Sequence, residues 1–301
     1  MERRLGWLLN AARVEKHISK TVLARGLCTV TALTRYEEGE RVPGKFLADA
    51  LLERLGFEPF RFEFMVSEEE FDLRQRRDRL ERLLQWEEYA EAEQEAGEFG
   101  SRLDAKDSLN HQYLWLARSR LLRREGSLEE REDCLKKALE CTRCADVPET
   151  GMKGRLFSAV ELQTLCGLAE CRYQQGREQE AFRLYEEIEE YRNQRKWAAG
   201  KRSSYHPRIL LRLAQKEEQS HNSGKALAYL NQAEQELITG YRLELLEEVL
   251  EMRKRLLERM GMGSEERDGF LTALRMIGRS SHGNMTQEIL REWENTAKPL
   301  S

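Results

Sequence analysis

Residues 168–188 read LAECRYQQGREQEAFRLYEEI, and residues 213–233 read LAQKEEQSHNSGKALAYLNQA. The two align without a gap at an offset of 45 residues: Leu168 on Leu213, Ala169 on Ala214, Ala181 on Ala226 and Ile188 on Ala233. Each copy holds two amphipathic stretches at helical spacing, split by a polar turn that carries Gly176 in the first copy. Ala169 with Ala181, and Ala214 with Ala226, put a small side chain where the two helices of each copy cross, and larger ones there would push the pair apart. A unit that recurs at a fixed period predicts a stack of helix pairs.

Similar pairs extend to both sides. The spacing predicts helices over Glu70–Leu84 with Glu87–Arg102, Leu109–Arg124 with Leu128–Cys141, and Ala159–Gln175 with Glu178–Asn193. The series continues with Pro207–Ser220 and Lys225–Thr239, then Leu243–Met260 and Glu265–Ile277, and closes on Thr286–Thr296. The broad apolar face of Leu243, Leu246, Val249, Leu250, Leu256 and Leu257 suits a dimer contact, and equally the core face of any buried helix.

Composition agrees with an all-α chain. The 301 residues include only 5 prolines, 35% are charged and 40% are hydrophobic, enough for a sizeable core. With mean hydropathy at −0.73 and no long uncharged apolar run, the chain is not expected to span a membrane. Charges at Glu2, Arg3, Arg4, Arg13, Glu15, Lys16 and Lys20 do not fit a secretory signal, so a cytoplasmic location is expected. The six cysteines then read as free thiols. Only Cys141-Thr-Arg-Cys144 has metal-ligand spacing, and no second pair completes a site, so neither metal nor cofactor is expected. Five scattered histidines, no phosphate-binding loop and no dinucleotide fingerprint argue against an enzyme.

Charge is uneven. Residues 1–45 hold nine Lys or Arg and five acids, a net +4, which leaves −8 on the remainder of a chain of net charge −4. This basic head also changes texture. Apolar spacing predicts a helix over Arg3–Val14. Ser19 and Thr29 are placed to cap two more short helices, ended by Gly26 and Gly39, and Pro43 opens a fourth through FLADALLERLG. The stretch FEPFRFEFMVSEEE marks the boundary, giving domains over 1–66 and 67–301.

The segment LARGLCTVTALTRYEEGERVP (residues 23–43) resembles the helix-turn-helix of the lambda-repressor-like (XRE) family. Ala24 is small where the two helices cross, Leu23 and Leu33 face the core, and Gly26 with Leu27 and Cys28 forms the turn. The resemblance implies that the N-terminal end of the third helix enters the DNA major groove, presenting Thr29, Val30, Thr31, Thr34 and Arg35. Arg35 can take a guanine edge bidentately, and Val30 or a threonine methyl can meet a thymine methyl. Lys20, where the family usually has glutamine, is expected near a phosphate, as are Arg41 and Lys45. Arg13 and Glu37 have the spacing of a structural ion pair.

The helical pairs resemble the tetratricopeptide repeat, with a longer period than its usual 34 residues. A helix-turn-helix followed by such repeats resembles the RRNPP group of peptide-pheromone receptors. The pieces that carry this are residues 23–43, KALECTR, LFSAVELQTLCGLAECRYQQG and YHPRILLRLAQ, in that order. The resemblance implies a right-handed superhelix, a homodimer on a palindromic operator in double-stranded DNA, and a short signalling peptide in the repeat groove, as in quorum sensing. With the alanines at the helix crossings, the groove-facing set includes Gln163, Glu170, Tyr173 and Gln174 in one repeat, with Arg208, Arg212 and Gln215 in the next. The preceding repeat adds Arg120 and Arg123. Cations and amides suit an extended peptide with a free carboxylate. The alternative is an adaptor that acts on protein partners through its repeats without DNA.

Overall fold

The structure is a computed structural model, and it describes residues 2–57, 67–194, 205–239 and 245–261. Among these residues every regular element is a helix. The expected helices over Glu265–Ile277 and Thr286–Thr296, and most of the boundary stretch after Phe57, lie outside them. The chain divides into two compact units, residues 1–197 and 198–301.

The first unit opens with four short helices, α1 (Glu2–Glu15), α2 (Lys20–Ala24), α3 (Val30–Glu37) and α4 (Lys45–Arg54). The caps form as the residue types dictate. Ser19 accepts from the Val22 amide, and Thr29 accepts from the Ala32 amide. Helix α4 starts at Lys45, two residues after Pro43, with Gly44 at its N-cap. Leu5, Leu9, Leu23, Leu33, Leu51, Leu52 and Leu55 close into one core, which also takes in Leu156 from much later in the chain. Gly6 lets α1 lie against the end of α3, because a β-carbon there would meet the Tyr36 carbonyl oxygen at 2.1 Å.

Three helix pairs follow: α5 (Glu68–Gln85) with α6 (Tyr89–Ser101), α7 (Ser108–Glu125) with α8 (Leu128–Glu140), and α10 (Ala159–Gln174) with α11 (Glu178–Gln194). Reciprocal capping boxes start two of these helices, Ser127 with Glu130 and Ser158 with Glu161. The short helix α9 (Val147–Thr150), with Pro148 in its first turn, is an element that periodicity does not predict.

The second unit contains α12 (His206–Gln219), α13 (Ser223–Thr239) and α14 (Leu246–Arg259). Helix α13 starts and ends 45 residues after α11, and α12 ends 45 residues after α10, as the aligned copies require. Ala169, Ala181, Ala214 and Ala226 are all fully buried at the helix crossings. The apolar face expected to make a dimer is already in use: Leu246, Val249, Leu250 and Leu256 are buried in a core shared with Leu210, Leu211, Leu230 and Leu237. A leucine row cannot announce whether its partner is a neighbouring helix or a second chain. Here it is the former.

Candidate functional site

Helix α3 presents one solvent-facing edge. Thr29, Val30, Thr31 and Arg35 are exposed, and Thr34 is half-buried. The side chains behind this edge are locked. Arg13 lays its guanidinium on Glu37, with Nε donating to Oε1 at 2.6 Å and Nη2 donating to Oε2 at 2.9 Å. It also donates to the Ile18 carbonyl at 3.1 Å. The Glu37 hydrogen bond, opposed by burial, raises the Arg13 pKa above its ordinary value. The Arg13–Glu37 pair is therefore structural, as its spacing implies.

Lys20 is more constrained than a phosphate contact needs to be. Its ammonium donates to the Thr34 hydroxyl at 3.0 Å and lies 3.4 Å from Glu37 Oε2. Thr34 in turn donates to the Val30 carbonyl at 3.0 Å. Lys20 thus braces α2 against α3, with a third of its side chain still exposed. Arg41 is exposed. Lys45 is not. Only 6% of it is exposed, its ammonium pairs with Asp49, and its backbone amide donates to Glu70 Oε1 at 2.9 Å. It anchors the start of α4 and does not reach the surface as a phosphate contact would.

The residues expected on the repeat groove are spread over both units. In the first, Arg120 donates to Glu81 Oε2 at 2.7 Å, tying α7 to α5. Gln163 is half-buried. Tyr173 is half-buried with its ring edge-on to Phe182, and exposed Gln174 accepts from Arg131 at 3.0 Å. Glu170 is 3% exposed and accepts from the Tyr185 hydroxyl at 2.8 Å, so its carboxylate joins α10 to α11 instead of facing a ligand. The Arg123 side chain lies outside the described part. In the second unit, Arg208, Arg212 and Gln215 are half-buried on α12, where Arg212 donates to Gln215 Oε1 at 2.9 Å.

Sequence reasoning does not reach the junction between the four-helix head and the pairs that follow it. A cavity of about 300 Å³ opens there between α4, α5, α7 and the start of α10, lined by Lys45, Asp49, Glu53, Arg74, Arg77 and Asp78. Arg77 stacks on Phe46 of the head and on Tyr113 of α7, 4.8 and 4.1 Å from their ring centres. Burial pushes the Asp49 carboxyl up, against the pull of Lys45. Among the described residues, no group of three or more His, Cys, Asp or Glu is placed to hold a metal ion, and no helix is long and apolar enough to cross a membrane.

No protein-family model matches the sequence, and no curated protein matches it. A solved structure does match the fold: Bacillus thuringiensis PlcR in complex with the peptide PapR7 and DNA. The likeness covers 96% of this chain and 99% of that one, with a TM-score of 0.52 and 15% sequence identity. An all-α fold is thus shared over nearly the whole of both chains by two very different sequences.

Proposed function

We propose that the chain is a DNA-binding transcriptional regulator whose repeats bind a short signalling peptide that changes its grip on DNA. The observation that carries this is the α3 edge: Val30, Thr31 and Arg35 exposed on a helix whose back is locked by Arg13, Glu37 and Lys20. A rigid helix with short side chains and one arginine on its outer edge suits the major groove. The PlcR structure supports the rest of the reading, since there the same fold holds both a peptide and DNA. Residues 1–66 would read DNA, and residues 67–301 would sense the peptide and pair two copies into a homodimer. The protein would act in the cytoplasm as a regulator and not as an enzyme.

The test is capture of genomic fragments by purified full-length protein, repeated with Arg35→Ala. Enrichment of a palindromic site that is lost in the variant supports the reading. Equal enrichment by both proteins removes Arg35 from recognition, and enrichment by neither moves the function to protein partners. Short peptides from spent culture, added to the same assay, test the sensing half.

A further inference from the structure

Arg54 is the last residue of α4, and it is almost wholly buried, at 1% exposed. Its Nη1 donates to the Leu23 and Arg25 carbonyls at 3.0 and 2.6 Å, which are the carbonyls that end α2. Its Nη2 donates at 2.8 Å to Oε1 of Glu161, which is fully buried in the first turn of α10. Glu161 is itself held in place: the Ser158 amide donates to Oε2 at 2.6 Å, and the Cys144 thiol reaches Oε1 at 3.4 Å. One planar guanidinium therefore joins the helix-turn-helix to the start of a repeat helix.

Three further ties run beside it. Glu53 Oε2 accepts from the Ala159 amide at 2.8 Å. Gly26, in the turn between α2 and α3, lies against the Thr142 backbone, and Leu156 fills the core of the head. Apolar packing could hold two bodies together with as much stability as a buried ion pair. What Arg54 adds, bonded to two carbonyls of the head and to one oxygen of Glu161, is a single relative orientation, because a shift of either partner strands a charge away from water.

We infer that Arg54 is a positioning residue for DNA reading: with Glu161 it fixes the pose of α3 on the first unit's repeats, so that the head does not swing on a tether. This rests on the DNA-reading and dimer assignments made above. Two heads fixed in this way accept one separation and one rotational phase of half-sites, whereas tethered heads accept many. A displacement of α10 would likewise be carried into α2 and α3 without loss in a flexible joint.

The experiment uses full-length protein and a palindromic operator selected from random DNA by the wild type. The spacer is then lengthened or shortened by about two base pairs, which turns one half-site by roughly a fifth of a helical turn. Wild-type affinity is expected to fall about tenfold or more. In Glu161→Gln the dependence should flatten to about threefold with single-half-site affinity unchanged, and Arg54→Met, which also loses the bonds to the carbonyls ending α2, should flatten as much, with Arg54→Lys in between. A flat wild-type profile, or folded variants that keep the steep one, overturns the inference.

Hydrogen exchange on the wild type without DNA is the second arm, and it stands even if a variant fails to fold. Amides of α2, α3 and the first turn of α10 should open together, and a head that exchanges independently of α10 overturns the clamp. A wild type that opens as one unit yet binds no DNA defeats the DNA-reading assignment and leaves the clamp standing.

Discussion

A β-carbon placed on Gly26 would lie 1.9 Å from the carbonyl oxygen of Thr142. Gly26 sits in the turn before α3 with φ at +73°, and Thr142 sits in the turn after α8, so two turns from separate parts of the first unit touch backbone to backbone. Glycine is required here twice over, by the left-handed conformation and by the missing side chain. Gln112 supports the far side, donating to the Thr142 hydroxyl at 2.9 Å.

Gly26→Ala should therefore cost more than its left-handed strain. Strain alone is about 1–3 kcal/mol, and the contact with Thr142 cannot be relieved by rotating a side chain. The melting temperature should drop by several degrees. Binding to an isolated half-site should survive wherever the head stays folded. An unchanged melting curve would mean that the two turns do not pack as described.

Thr34 separates shape from hydrogen bonding. Its hydroxyl is occupied on both sides, accepting from Lys20 and donating to Val30, so only its methyl is left to read a base. Thr34→Ser keeps the brace and loses the methyl. It should weaken operator binding by about 1 kcal/mol while sparing non-specific DNA. Thr34→Val keeps the methyl and loses the acceptor, so it should lower stability more than specificity. Parallel binding titrations on operator and random DNA, with a melt of each variant, distinguish the two effects.

The parts of the molecule legible in the sequence are those written in local or periodic code. Ser19 and Thr29 cap because their side chains reach an amide three residues on, and Arg13 meets Glu37 within one small domain. The four crossing alanines follow from a 45-residue period that the helix ends reproduce. The misplaced charged side chains share one cause: residue type suggests exposure, while burial depends on a partner that no local pattern reveals. Lys45 is covered because Asp49 and Glu70 lie beside it. Glu170 turns inward because Tyr185 offers a hydroxyl. Arg54 and Glu161 are 107 residues apart and carry no motif, yet they join the head to the repeat.

Tyr185→Phe tests the inward reading of Glu170. Tyr185 is fully buried, and its hydroxyl donates to a carboxylate that is 3% exposed. Removing that donor should destabilise the fold by about 1.5–3 kcal/mol, the range for hydrogen bonds to charged groups. Gln174 still donates to the other oxygen at 3.1 Å, which favours the lower end. The shift in urea midpoint measures this, and a midpoint unmoved by the substitution would return Glu170 to the groove.

Cys144 makes the first unit sensitive to alkali. The residue is 5% exposed, and its thiol pKa is pushed up to about 12 from an ordinary 9.0. Burial is the main cause, and the neighbouring Glu161 carboxylate adds to it against the opposing pull of Arg54. The sign follows from proton counting. Between pH 9 and about 12 the folded chain keeps this proton while the unfolded chain gives it up, so unfolding releases a proton and rising pH favours the unfolded state. The contribution is whole below pH 9.0 and is lost as pH climbs towards about 12. Cys28, Cys134 and Cys141 are also raised by burial, so they add slopes of the same sign. Cys144→Ser isolates one of these slopes, because a serine hydroxyl can still donate to Glu161 but does not ionise in this range. Melting temperature measured from pH 8 to 10.5 should therefore fall less steeply in Cys144→Ser than in the wild type. Parallel curves would mean that the thiol ionises as freely in the folded chain as in the unfolded one, and that water reaches the Arg54–Glu161 junction.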